Sequence, residues 1–138
     1  MAMSEKEVSS WPRLAQNPQA ISSLYKSAPS LQRTRLSSLR LLEDGPALHL
    51  HLHPREFPET VPARWSRQKF NRVMIELHFH GLKGLALSGW TTQNDVSLSI
   101  VSLDPTWKRL RLHSSTCQVE TEFEFLYIAR VEGYQVAE

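Results

Sequence analysis

Disulfide bonding within the chain is excluded at the outset, because the sequence holds one cysteine, Cys117, and a bridge needs two. The same shortage removes Cys-x-x-C pairs, and with them cysteine-based zinc and dithiol redox chemistry. No apolar run reaches the ~18 residues a membrane helix requires. The opening Met1-Ala2-Met3-Ser4-Glu5-Lys6-Glu7 is polar and lacks the apolar core of a secretion signal. A cytoplasmic protein without membrane contact is therefore expected. Glycine is scarce too, with five residues in 138, and none builds a phosphate loop, a dinucleotide fingerprint or a Gly-x-Ser-x-Gly elbow. No cofactor and no enzymatic activity are expected.

Nor is there an excess of charge. Sixteen Lys and Arg against fourteen Asp and Glu leave a formal +2, too little to draw the chain onto nucleic acid. Lys108-Arg109-Leu110-Arg111 has Trp107 beside it but no interleaved aromatics for base stacking. The charge is nevertheless polarised along the chain. Arg55, Arg64, Arg67, Lys69 and Arg72 outweigh Glu56 and Glu59, whereas Glu120, Glu122, Glu124, Glu132 and Glu138 face only Arg130. A solvated surface accounts for this, and so does a partner steered by charge.

What the sequence does hold is alternation. Leu48, Leu50 and Leu52 interleave with His49, His51 and His53, and Val73, Ile75, Leu77 and Phe79 interleave with Met74, Glu76, His78 and His80. Period two marks half-buried strands. Asp44-Gly45-Pro46 makes a turn after the run Leu36 to Leu42. Further strands are expected at Leu85 to Leu87, Val96 to Ile100, Leu110 to Leu112, and along Cys117 to Val131, as one bent strand or two short ones. In the last run Phe125 and Tyr127 share the parity of Cys117, Val119 and Phe123, while Leu126 and Ile128 take the other, so burial on both faces is expected there. Near the start, Asn17-Pro18 precedes Ile21, Leu24 and Tyr25 on one face of a helix that Asn17 caps. The connections are too short for parallel crossovers, apart from an ordered loop over 54–70 that returns Trp65 to the core.

The fold class expected is mainly β (α+β): a meander-like, curved antiparallel sheet of about six to eight strands with one short N-terminal helix packed on it. The organisation is one domain over 1–138, with a lead-in over 1–16, a helix over 17–28 and an antiparallel β domain over 34–134.

Histidine is the chemistry-bearing residue that stands out. If the strands carrying His49, His51 and His53 and those carrying His78 and His80 are neighbours with one face aligned, two or three imidazoles meet a zinc-like ion. Alternate strand residues lie about 7 Å apart, so the ligands must come from both strands in register. The plainer reading is a solvent-facing row. His51-Leu52-His53-Pro54-Arg55-Glu56 is similar to part of the metal-binding cupin pattern, but the glycines and second histidine motif of that family are missing. Cys117 lies on the parity of Val119 and Phe123, as a buried and unreactive thiol would. Of the tryptophans, Trp65 and Trp90 are expected to close the core, with Trp11 and Trp107 left open between core and interface. Glu120, Glu122 and Glu124 form a row of carboxylates that lacks the divergent environments of an acid–base pair, but suits contact with a basic partner. Reversing all three charges should then slow association.

Several of these features, taken in order, resemble the immunity protein 50 family of bacterial polymorphic toxin systems. They are Leu24-Tyr25, Ser30-Leu31, Gly45-Pro46 before an alternating strand, Val61-Pro62-Ala63-Arg64-Trp65, Asn71-Arg72-Val73, Gly89-Trp90 and Gly133-Tyr134. The resemblance implies a mostly β protein encoded beside a toxin, which binds the cognate toxin domain and protects the producing cell without turnover. It implies no particular contact residues. The alternative function is a metal- or small-ligand-binding β protein that uses the histidine faces.

Overall fold

In the computed structural model, which describes residues 10–92 and 94–137, the alternating segments form eight antiparallel strands. The first nine residues of the lead-in, Gln93 and Glu138 lie outside the described residues. The strands are β1 (Thr34–Leu42), β2 (Ala47–His53), β3 (Arg72–His80), β4 (Lys83–Ser88), β5 (Asp95–Ser102), β6 (Lys108–His113), β7 (Gln118–Phe123) and β8 (Phe125–Tyr134). They make one open, curved sheet in the order β4-β7-β6-β5-β1-β2-β3-β8.

Curvature follows from two tight corners. Gly81 and Leu82 alone separate β3 from β4, and Glu124 alone separates β7 from β8. The β3·β8 ladder ends at His80↔Phe125, and the β4·β7 ladder resumes at Lys83↔Glu122. The Glu124 amide donates to the His80 carbonyl between them. The sheet thus bends across both corners and lays its two halves over a common core. Phe79 of β3 and Phe123 of β7 meet there edge to face, with ring centroids 4.9 Å apart.

The core is the inward parity of the strands. Leu48, Leu50 and Leu52 of β2 and Ile75, Leu77 and Phe79 of β3 are fully buried, facing Leu98, Leu110, Leu112, Val119 and Phe123 of the other half. Each large aliphatic side chain removed from water contributes about 1.5–3 kcal/mol. Cys117 is buried among them, and burial raises its thiol pKa, as an inert core cysteine requires.

The N-terminal segment differs from the expected 17–28 helix. It is a 3₁₀ turn (Trp11–Leu14) and a single helical turn, α1 (Gln19–Ser22). Ser22, Ser23 and the nearby Pro29 are poor at extending a helix, and tertiary contacts take over. The side chain of Asn17 does not cap α1. Its amide donates to the Ile128 carbonyl (2.8 Å) and its oxygen accepts from the Ile128 amide (2.9 Å), extending the β8 edge as a strand would. Trp11, Ile21, Tyr25 and Leu31 fill the core from this side, and the Trp11 indole donates to the Pro29 carbonyl (3.0 Å).

Three further expectations change. The 54–70 loop contains a short helix, α2 (Ala63–Arg67), which does place Trp65 in the core. Trp90, expected there as well, is 44% exposed and lines an open depression of 660 Å³ with Arg35, Ser37 and Asn94. The second half of the last run is buried on one face only. Because Glu124 is spent at the corner, the parity shifts by one, turning Leu126 and Ile128 inward and leaving Phe125 and Tyr127 exposed. Among the described residues, no helix is long and apolar enough to cross a membrane.

Candidate functional site

The outward parity of β2 and β3 carries the histidines, and the two strands are neighbours. Their register sets His49 opposite His78, His51 opposite Glu76 and Ala47 opposite His80. The His49 and His78 rings stack face to face, with centroids 3.4 Å apart and planes 5° from parallel. His80 leans toward both, at 6.0 Å from His49 and 6.2 Å from His78. Tyr127 of β8 meets His80 edge-on at 5.3 Å. All three imidazoles are half-buried, and one ligand nitrogen from each lies within 4.8 Å of the others.

Two β-bulges complete the face. A bulge inserts one residue into a strand and flips the parity beyond it. At Ala129 the insertion turns Arg130 outward, opposite Glu76, although Ile128 two residues earlier points into the core. At Ser37 of β1 the hydroxyl of the inserted residue lies 2.8 Å from His53 Nε2, within hydrogen-bonding distance. The other ring nitrogen of His53 lies 2.7 Å from the Tyr134 hydroxyl. His53 is therefore tied at both nitrogens and stands apart from the three-histidine group.

Glu76 is the hub. Its Oε1 lies 3.0 Å from His51 Nε2 and accepts from Arg130 (2.9 Å), and its Oε2 accepts from His78 Nε2. Burial acts to raise its carboxyl pKa, but the hydrogen bonds from His78 and Arg130 and the nearby His51 outweigh that and hold it below the usual 4.5. Burial, followed by the neighbouring His78 and His80, lowers the pKa of His49. For His53, burial and then Arg35 and His51 bring the pKa down to about 4.

The glutamate row lies on the other half of the sheet. Glu120 is exposed but faces two cations, Arg111 at 3.4 Å and Arg109 at 3.9 Å. Glu122 is paired in register with Arg109 on one side and Lys83 on the other. Glu124 is held at the corner, its side chain beside Gly81. Periodicity brought out the row, but only the strand order shows that basic strands flank it.

This arrangement has the parts of a binding surface. A family model described as Immunity protein 50 matches residues 17–134. The chain belongs to the immunity protein 50 family. No curated protein and no solved structure matches it significantly. In this family member, most residues that carry the resemblance hold the framework. Trp65 packs against Gly133, Gly89 passes close to the Thr116 backbone, and Tyr134 ties His53. Glu76 was visible in the sequence as the one acid among the alternating histidines. Arg130, Phe125 and Tyr127 were not, because their direction depends on a bulge and a corner.

Proposed function

We propose that this chain is the immunity protein of a bacterial polymorphic toxin system, acting in the cytoplasm. It binds the cognate toxin domain encoded by a neighbouring gene and neutralises it by protein–protein contact, without catalysis. Membership of the immunity protein 50 family over 17–134 is the observation that carries this reading. The histidine–carboxylate contacts support it in a second way. Glu76 is tied to Arg130 and two histidines in a charge-compensated network on an ordered sheet.

Two surfaces compete for the toxin. The row Glu120, Glu122 and Glu124 would meet a basic partner, which must first displace Arg109 and Arg111 from Glu120. The outer face of β2, β3 and β8 presents exposed Phe125 and Tyr127 beside histidines and Arg130. Aromatic and arginine side chains on a rigid backbone are the usual anchors of a protein interface, and they favour the second surface.

The test is co-expression with the neighbouring toxin domain, scoring growth rescue and then co-purification. Rescue with a stable complex supports immunity by direct binding; no rescue and no complex with an active toxin rejects it. Tyr127→Ala with Phe125→Ala should weaken a complex formed through the second surface. Charge reversal of the three glutamates should instead slow association if the first is used.

A further inference from the structure

Three imidazoles within reach of one point, on adjacent strands of a rigid sheet, are a ligand set. We propose that His49, His78 and His80 bind one divalent transition-metal ion of the zinc class on the outer face of β2 and β3. Their ligand nitrogens already lie within 4.8 Å of one another. Tetrahedral coordination at about 2.0–2.1 Å per Zn–N bond sets the nitrogens roughly 3.4 Å apart. Closing that gap takes rotation of imidazole rings rather than movement of strands, and rotation about the ring-bearing bond is soft. The parallel His49 and His78 rings tilt so that their lone pairs converge. His80 is paired in register with Ala47, whose side chain is only a methyl group.

The surroundings match what a metal-bound histidine needs. A ligating imidazole characteristically donates its second N–H to a carboxylate, which fixes the tautomer and the ring direction. Glu76 accepts from His78 Nε2, so the free lone pair of that ring is on Nδ1. The same carboxylate is held in place by His51 and Arg130, and its negative charge offsets part of the ion's. Arg40, exposed and paired in register with His49, and Arg130 are the cations that oppose binding. Three protein ligands leave a fourth position open to water or to a side chain of another molecule. Imidazole donors suit zinc, copper and nickel and do not suit magnesium or calcium.

This site does not rest on the toxin reading, and its test needs no toxin. Tag-free, chelator-treated protein is titrated with zinc chloride by calorimetry, and its melting temperature is measured with and without one equivalent. Cobalt(II) is added separately, because its visible bands report tetrahedral nitrogen coordination. The expected result is saturation at one ion per chain, a raised melting temperature, and affinity at least tenfold weaker in His49→Gln and in His80→Gln. His113→Gln, on the remote β6, should behave as the parent. The metal-free melting temperature of each variant shows whether it is folded. Absence of stoichiometric binding in the folded parent overturns the proposal, as does binding that both His49→Gln and His80→Gln leave intact.

Discussion

Trp65 lies directly over Gly133: a Cβ added at Gly133 would stand 2.8 Å from Trp65 Cδ2 and 2.6 Å from Phe70 Cδ2. The contact joins α2 to β8 and explains why a flexible residue sits inside a strand, where it otherwise weakens the ladder. Gly133→Ala must push two packed rings aside, so a loss of about 1–3 kcal/mol is expected, read from urea unfolding. In a Trp65→Ala background the clash with the indole is gone while that with Phe70 remains, so the penalty should shrink in part. Additive effects in this double-mutant cycle would sink the packing explanation.

Gly84 and Gly89 separate backbone strain from collision. Both have positive φ, +67° and +76°, but a Cβ at Gly84 meets nothing within 4 Å, whereas one at Gly89 falls 1.8 Å from the Thr116 carbonyl oxygen. Gly84→Ala should therefore cost only the left-handed penalty, about 1–2 kcal/mol. Gly89→Ala carries that penalty and also forces the backbone around Thr116 to move, so its loss should be clearly larger or prevent folding. Equal denaturation midpoints for the two variants would show that the Thr116 contact relaxes freely.

Much of this architecture was legible because hydrophobic alternation is a direct record of which face is buried. The Ala47–His53 and Arg72–His80 strands and the buried Cys117 follow from that record, whereas the pairing of those two strands was only a condition that the structure meets. It fails where a single residue breaks the period. Glu124 at the corner reverses the meaning of parity for Phe125 and Tyr127, and the bulge at Ala129 does so for Arg130. Asn17 was misread for a different reason. Its side chain serves a backbone 111 positions away rather than the adjacent helix, and local sequence carries no trace of such a partner. The histidine row was evident, but its meeting at His49↔His78 is a matter of register, which alternation alone leaves open.

Thr34 is fully buried at the start of β1, and its hydroxyl has no hydrogen-bond partner among the described residues. A buried hydroxyl left unpaired costs about 1–3 kcal/mol relative to one that is satisfied. Thr34→Val keeps the shape and β-branching while removing the polar atom, so it should stabilise the fold by roughly 1 kcal/mol. Thr34→Ser, which retains the hydroxyl and deletes the methyl, should destabilise it. A loss of stability in the valine variant would mean that an ordered water or another group satisfies Thr34.

Acid should weaken the fold through His53. Both of its ring nitrogens are engaged, by Ser37 and Tyr134, and its pKa falls from 6.5 to about 4 through burial and then the charges of Arg35 and His51. The unfolded chain binds a proton at this residue near pH 6.5, whereas the folded chain resists until about pH 4. Between those values the unfolded state holds more protons, so stability falls as pH falls. The contribution is complete above pH 6.5, declines through the window and changes no further below pH 4. His53→Gln retains one donor and one acceptor but cannot titrate. The stability difference between parent and variant, measured by urea unfolding from pH 7.5 to 4.5, should narrow as the solution is acidified, while the other titrating groups largely cancel. A difference that widened toward low pH would mean that the folded state takes up the proton more readily than the unfolded chain, the opposite of what the lowered pKa of the half-buried His53 requires.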